Sequence, residues 1–381
     1  MMSDRRFGRE SQALLRERVK DGMAALKEGD IDSARDIFTD LLEAQPDLAV
    51  AHLGLGRVFE KLDDPQRALE HFQEAQALKP DLVPAQILSA GMLGKLGDTD
   101  EAMAELETAI HLDPTASAAY LRKSRLLQQK GRPEEALALL RDAVLHNPQE
   151  VRLRMALATH LAKAGETSAA AEELRRVSEI NPDLWMPHFQ LGRIYREEGD
   201  LSAAREALDR AAALAPDRVP VHQALGQVQS ELEDHAQALK SFDRAISLKP
   251  NNLRATIRAA QARAQTGRHR DALAMLTKLG PKARRSGFVQ KALGDVYLAM
   301  ERNRDAVDCY RAAILNSAQL CEAHPELKTL AEAEVPEDAA AHAVLLRDSI
   351  AQKLSARQER GGDRRDALRA RLAARREAAA G

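Results

Sequence analysis

Residues 188–216 read HFQLGRIYREEGDLSAAREALDRAAALAP. Two amphipathic stretches flank a Gly-Asp pair, and a proline closes the segment. Glycine ends a helix because it tolerates the left-handed conformation. Proline pushes the residue before it out of the helical region. The segment therefore reads as helix, turn, helix. A single hairpin of this kind cannot bury its apolar faces alone, so its meaning depends on whether it recurs.

It does recur. Prolines stand at Pro46, Pro80, Pro114, Pro148, Pro182, Pro216 and Pro250, each 34 residues after the last. Counting back from each gives repeats starting at 15, 49, 83, 117, 151, 185 and 219, and the register continues from 253 and 287. Position 20 is Ala in all nine repeats, from Ala34 to Ala306. Position 8 is always small, as in Gly22, Gly56, Ala90, Ser124 and Gly192. Position 24 is always large, as in Phe38, Phe72, Leu106, Phe242 and Tyr310. Small residues let two helices approach, and the large one fills the space beside them. The Gly-Asp pairs Gly29-Asp30, Gly97-Asp98 and Gly199-Asp200 end the first helix (A) of their units. The Asp after the proline (Asp47, Asp81, Asp183, Asp217) stands where it can cap the next helix A.

This pattern resembles the tetratricopeptide repeat, a helix–turn–helix unit of about 34 residues. The resemblance covers residues 15–320. It implies an all-α solenoid, a right-handed superhelix whose A helices line a concave groove. The family's usual Trp at position 4 is missing throughout, and His52, Tyr120, His188 and His222 occupy that slot in four repeats. The domain plan that follows is an N-terminal extension over 1–14, nine repeats over 15–320, a capping-helix region over 321–360 and an Arg-rich tail over 361–381.

Composition agrees with a long helical protein. Aromatics are 3% and charged residues 30%, with a formal net charge of −2. No global field draws it to nucleic acid or membrane. Cys309 and Cys321 form no C-x-x-C motif, which fits a reducing cytoplasm. The start MMSDRRFGRESQALL lacks the apolar core of a secretory signal. No apolar run reaches the roughly 20 residues that span a bilayer. The excess of Arg over Lys points to a bacterial source.

The pattern breaks in two places. In the eighth repeat, TKLGPKARRSG puts Gly280-Pro281 before the expected end of helix B, and Arg284 stands at the proline position. This predicts a shortened helix B with a basic loop; a hinge is the alternative. Beyond 320 the repeat is lost. Ala343, Leu346, Ile350 and Leu354 form an apolar stripe near helical spacing, suited to a cap over the last repeat. From Ser355 to Gly381 eight Arg face four acids, a solvated tail or a contact for a polyanion.

No enzyme signature is present: there is no G-x-x-x-x-G-K-[ST] and no H-E-x-x-H. His188 and His222 share position 4 of adjacent repeats, but no recurring Cys or carboxylate completes a tetrahedral metal set. About 60 residues follow the repeats, too few for an appended catalytic domain. The expectation is a non-enzymatic scaffold or adaptor with no cofactor and no metal.

The resemblance places helix A positions 2, 5, 9, 12 and 13 in the groove. Position 5 supplies Leu53, Ile87, Leu121, Met155 and Phe189, and position 9 supplies Arg57, Arg125 and Arg193. Trp185 precedes Phe189 and Arg193 at i, i+4, i+8 on one helix face. Its place is either the groove edge or the junction with the fifth repeat. The expected partner is a protein or peptide segment with acidic flanks, met during assembly of a larger complex. The carboxylate clamp of the family's co-chaperones is mostly absent: only Arg254 and Arg258 match it, while Phe189, Arg193 and Ala224 depart from it. Two other readings are RNA or polyanion binding through the basic tail, and self-assembly through end repeats.

Overall fold

The computed structural model describes residues 2–317, 325–333 and 338–352, with side chains from Leu14. All secondary structure among them is helical. The first repeats are built from α1 (Met2–Glu28), α2 (Ile31–Ala44), α3 (Ala49–Lys61), α4 (Pro65–Leu78), α5 (Val83–Leu96) and α6 (Thr99–Leu112). They continue through α7 (Ser117–Gln129), α8 (Pro133–His146), α9 (Val151–Ala164), α10 (Thr167–Ile180), α11 (Trp185–Glu198) and α12 (Leu201–Leu214). Then come α13 (Val219–Glu231), α14 (His235–Leu248), α15 (Leu253–Gln265), α16 (His269–Thr277) and α17 (Pro281–Arg284). The last are α18 (Gly287–Ala299), α19 (Asn303–Leu315), α20 (Pro325–Glu332) and α21 (339–352). The helix α1 runs unbroken from Met2, so residues 2–14 prolong helix A of the first repeat. Two compact units are present, Met1–Glu173 and Leu174–Gly381, divided inside α10.

The three sequence columns have one packing cause. Position 20 is fully buried in every repeat, and position 24 is at most 1% exposed. The position 24 ring lies directly on the position 8 glycine of helix A. A Cβ on Gly22 would stand 2.7 Å from Phe38 Cζ, and one on Gly226 would stand 2.8 Å from Phe242 Cε1. Gly54, in the next repeat, faces Phe38 at 2.5 Å from its other side. Phe38 is thus clamped between α1 and α3. Each large residue fills its own hairpin and the junction to the next one, which explains why the hairpins must stack. Cutting such a side chain to Ala costs about 3–5 kcal/mol.

Helix ends follow local rules, with one correction. Position 15 is left-handed in all nine repeats: six have Gly there, and Asp63, Glu233 and Glu301 adopt φ of 57°, 61° and 59°. Asp30, Asp64, Asp200 and Asp234 then cap helix B by accepting from the backbone N–H three residues on. The Asp after each proline does not cap helix A. The N-caps there are Leu48, Leu82, Leu184 and Arg218, none with a side-chain cap bond. Asp47, Asp81, Asp183 and Asp217 each stand one residue too early. The residue before the proline is bent out of the helix, as at Gln45 (φ −145°) and Lys79 (φ −142°).

The eighth repeat is irregular in the way its sequence implies. Its helix B, α16, has nine residues where α14 has 14. The chain then bends at Gly280 into α17, a single turn with no buried residue. At the C-terminal end, Ala343, Leu346 and Ile350 of α21 bury against Ala306, Val307, Tyr310 and Ile314 of α19. Leu354 and the tail 361–381 lie outside the described residues, as does Cys321.

Candidate interaction groove

Within each unit the A helices form the inner face. Several successive A helices touch one another: α1 and α3, α5 and α7, α7 and α9, then α11 and α13, α13 and α15, α15 and α18. Among the described residues no successive B helices meet to a comparable extent.

In the first unit the position 5 side chains divide. Leu53 departs from the expected groove role: it is 6% exposed and packs in the core with Phe72 and Leu69. Partly buried Phe59 and Leu88 pack against the same core. Ile87 is half-buried against the same core, while Leu121 and Met155 are half-buried. Arg57 is half-buried, with its guanidinium 3.9 Å from Met23 Sδ, and Arg125 is exposed. Gly91 occupies position 9 where arginine is missing, and the Arg122 guanidinium from the next repeat lies over it. Sequence reasoning missed Arg122 because only stacking brings position 6 of one repeat onto position 9 of another. Lys95 and Lys163, at position 13, reach back to Asp63 at 3.4 Å and Gln128 at 3.1 Å. They link neighbouring repeats.

In the second unit Trp185 and Phe189 are half-buried and Arg193 is exposed. The two rings tilt against each other with centroids 5.8 Å apart. The Arg218 guanidinium lies over the Trp185 ring at 5.6 Å. Trp185 thus reaches forward to the cap of α13 in the seventh repeat. Beside it, α11, α13 and α15 enclose an open cleft of about 360 Å³ that includes Phe189, Arg193, Arg196, Arg254 and Arg258. Arg254 and Arg258 come from the eighth repeat, some 60 residues from Arg193, and with Phe189 and Ala224 they stand at the positions that correspond to the co-chaperone clamp.

Position 4, the family's Trp slot, has a role that spacing did not reveal. His52 Nε2, Gln86 Nε2, Arg154 Nε and His222 Nε2 lie 2.7–3.2 Å from the carbonyls of Pro46, Pro80, Pro148 and Pro216. Gln290 donates in the same way to the Arg284 carbonyl at 2.7 Å. Unrelated side chains thus satisfy the same orphan carbonyl at the end of helix B. The shared signal is a nitrogen donor six residues after the proline position of the preceding repeat. His222 is committed to that bond. Among the described residues no three or more His, Cys, Asp or Glu gather as a metal set.

These observations define a class: a solenoid of helix hairpins whose inner A-helix face carries half-buried apolar and free basic side chains. One tetratricopeptide repeat family model matches residues 20–83, and a second matches 93–159, 127–190, 161–228 and 229–294. The chain belongs to the tetratricopeptide repeat family. Proteins of this family are typically non-enzymatic interaction scaffolds, and in general terms this chain is a protein-interaction scaffold. No curated protein matches the sequence. Similar solved structures include PilF of Pseudomonas aeruginosa, 19% identical with TM-score 0.48 over 58% of this chain and 98% of that one. PilW, a type IV pilus biogenesis factor, is 23% identical with TM-score 0.48 over 56% and 98%. YrrB, described as having an unusual peptide-binding site, is 21% identical with TM-score 0.39 over 48% and 95%. At these identities the likeness extends to the fold alone. No helix among the described residues is long and apolar enough to cross a membrane.

Proposed function

We propose that this chain is a non-enzymatic adaptor that holds extended or helical segments of partner proteins on its A-helix face during assembly of a larger complex. The observation that carries this reading is the open cleft over α11, α13 and α15, where Phe189 and exposed arginines share one surface. Apolar anchors supply contact area, and arginine forks supply bidentate bonds to partner carboxylates. In the first unit Ile87, Leu121, Met155, Arg57 and Arg125 offer the same combination, while Leu53 supports the fold beneath them. We assign nine repeats to 15–320 and a cap to 321–360 within this reading.

The test compares proteins captured by the wild type with those captured by the triple variant Arg57→Glu, Arg125→Glu, Arg193→Glu. A control carries Arg205→Glu and Lys240→Glu on exposed B-helix positions. Partners lost from the triple variant and kept by the control are expected. Identical recovery from all three proteins would exclude the groove.

A further inference from the structure

The formal net charge of −2 conceals a local imbalance. Residues 244–294 carry twelve Lys or Arg and a single acid, Asp271, against 56 and 58 in the whole chain. The rest of the chain is therefore acidic, and the basic block coincides with the one irregular repeat. A block of one sign repels itself, and a partner of the opposite sign removes that cost.

The fold collects part of this block on one edge, where each helix B hands over to the next helix A. Lys249 is the C-cap residue of α14, and Lys278 is that of α16. The short α17 adds Lys282 and Arg284, and Arg285 follows it. All five side chains are exposed. Asp271 lies in the first turn of α16, at the opposite end of that helix, where Arg268 pairs with it at 2.8 Å. Both α15 and α16 pack on α18, so the two hand-over turns stand side by side. The single turn α17 takes the place of the end of an ordinary helix B, yet it buries no residue. Its cations serve the surface and not the core.

An aromatic ring stands on the same edge. Phe288 is 69% exposed, and among residues whose side chains are described it is the one exposed Phe, Trp or Tyr. It lies in the first turn of α18, three residues after Arg285. Its neighbour Val289 is fully buried in the core with Ala260, Ala272 and Leu276, so the register of α18 holds the Phe288 ring outward. A single strand of nucleic acid offers what this edge lacks: phosphates for the cations and a base face for the ring. A bilayer surface fits less well, because an interfacial helix needs a wide apolar face and α17 is one turn with one ring beside it. We infer that this edge of the eighth repeat is a binding surface for single-stranded nucleic acid. Lys249, Lys278, Lys282, Arg284 and Arg285 contact the phosphates, and Phe288 stacks on a base. The surface reads no sequence, because every base has a face to offer the ring. It lies outside the cleft of α11, α13 and α15 and does not rest on the groove reading.

The probe is a fluorescein-labelled uridylate dodecamer, measured by anisotropy with the full chain. Its counterpart is an abasic strand of the same backbone and charge. The uridylate is expected to bind about fivefold more tightly than the abasic strand, or better. With about five phosphate contacts, its affinity should fall about a hundredfold between roughly 50 and 200 mM salt. Phe288→Ala should remove the advantage of the bases and leave the salt slope unchanged, and Phe288→Trp should restore that advantage. The triple variant Lys282→Glu, Arg284→Glu, Arg285→Glu should lose roughly thirtyfold and flatten the slope. A control of equal charge change on exposed B-helix positions, Arg205→Glu, Arg210→Glu, Lys240→Glu, should lose far less. Binding of a deoxyuridylate dodecamer supports the surface equally, and the tighter of the two strands names the sugar. No binding at low salt, equal affinity for the uridylate and abasic strands, or equal losses in the two triple variants would each overturn the surface. Binding that survives the Lys282, Arg284, Arg285 variant would move the contact to the Arg-rich segment 355–381 and overturn it too. Tighter binding to phosphatidylserine vesicles would assign the edge to a membrane instead, and displacement by oligo-aspartate of equal charge would assign it to a protein.

Discussion

Position 15 of each repeat shows how a single residue carries the fold. Its backbone is left-handed whether it is Gly29, Asp63 or Glu233. A non-glycine side chain there costs about 1–2 kcal/mol, while glycine adds about 0.5–1 kcal/mol of chain entropy to folding. Glu233→Gly is therefore expected to stabilise the protein by about 0.5–1 kcal/mol, read as a raised urea midpoint with unchanged slope. His71 gives a pH-dependent case. Its Nδ1 lies 3.1 Å from that of His52, and its ring stacks on Phe59. Burial, then the adjacent His52, lowers its pKa below the ordinary 6.5, with Glu70 and Glu74 opposing. The unfolded chain then binds the proton at higher pH than the folded one. This contribution is complete above about pH 6.5 and is lost as pH falls through the folded value. The urea midpoint should drop between pH 7.5 and 5.5, and His71→Gln should flatten that slope.

At the scale of the element, helix boundaries were largely legible because Gly, Asp and Pro act within a few residues. The capping error at Asp47 and Asp81 shows the limit of such reading. A one-residue offset in the turn decides whether a carboxylate reaches an N–H, and only backbone geometry sets that offset. The eighth repeat carries the element-scale prediction. Its α16 is short and α17 buries nothing, so few contacts oppose local opening there. Amide exchange across 277–288 is expected to exceed that across the matching turn, 209–220, by tenfold or more. Equal protection in the two segments would rule out a hinge.

At the scale of the whole molecule, the period of 34 and its three columns established the architecture. They did so because each repeat makes the same contacts with the next, so one packing rule is written nine times in the chain. Ala at position 20 and the ring or Leu at position 24 are buried wherever they occur, and no longer-range information is needed to place them. The surface obeys no such rule. Leu53 and Phe189 share a column, yet one is core and the other lines a cleft. His52, Gln86 and Arg154 look unrelated, yet each reaches the same carbonyl. Arg193 and Arg254 are far apart in sequence and share one cleft. Sequence by itself determined the repeat, the helices and the buried columns, because those depend on spacing within about 40 residues. Tertiary structure alone decided which side chains share the inner face and which charges stay unpaired, because those depend on how successive hairpins rotate and stack.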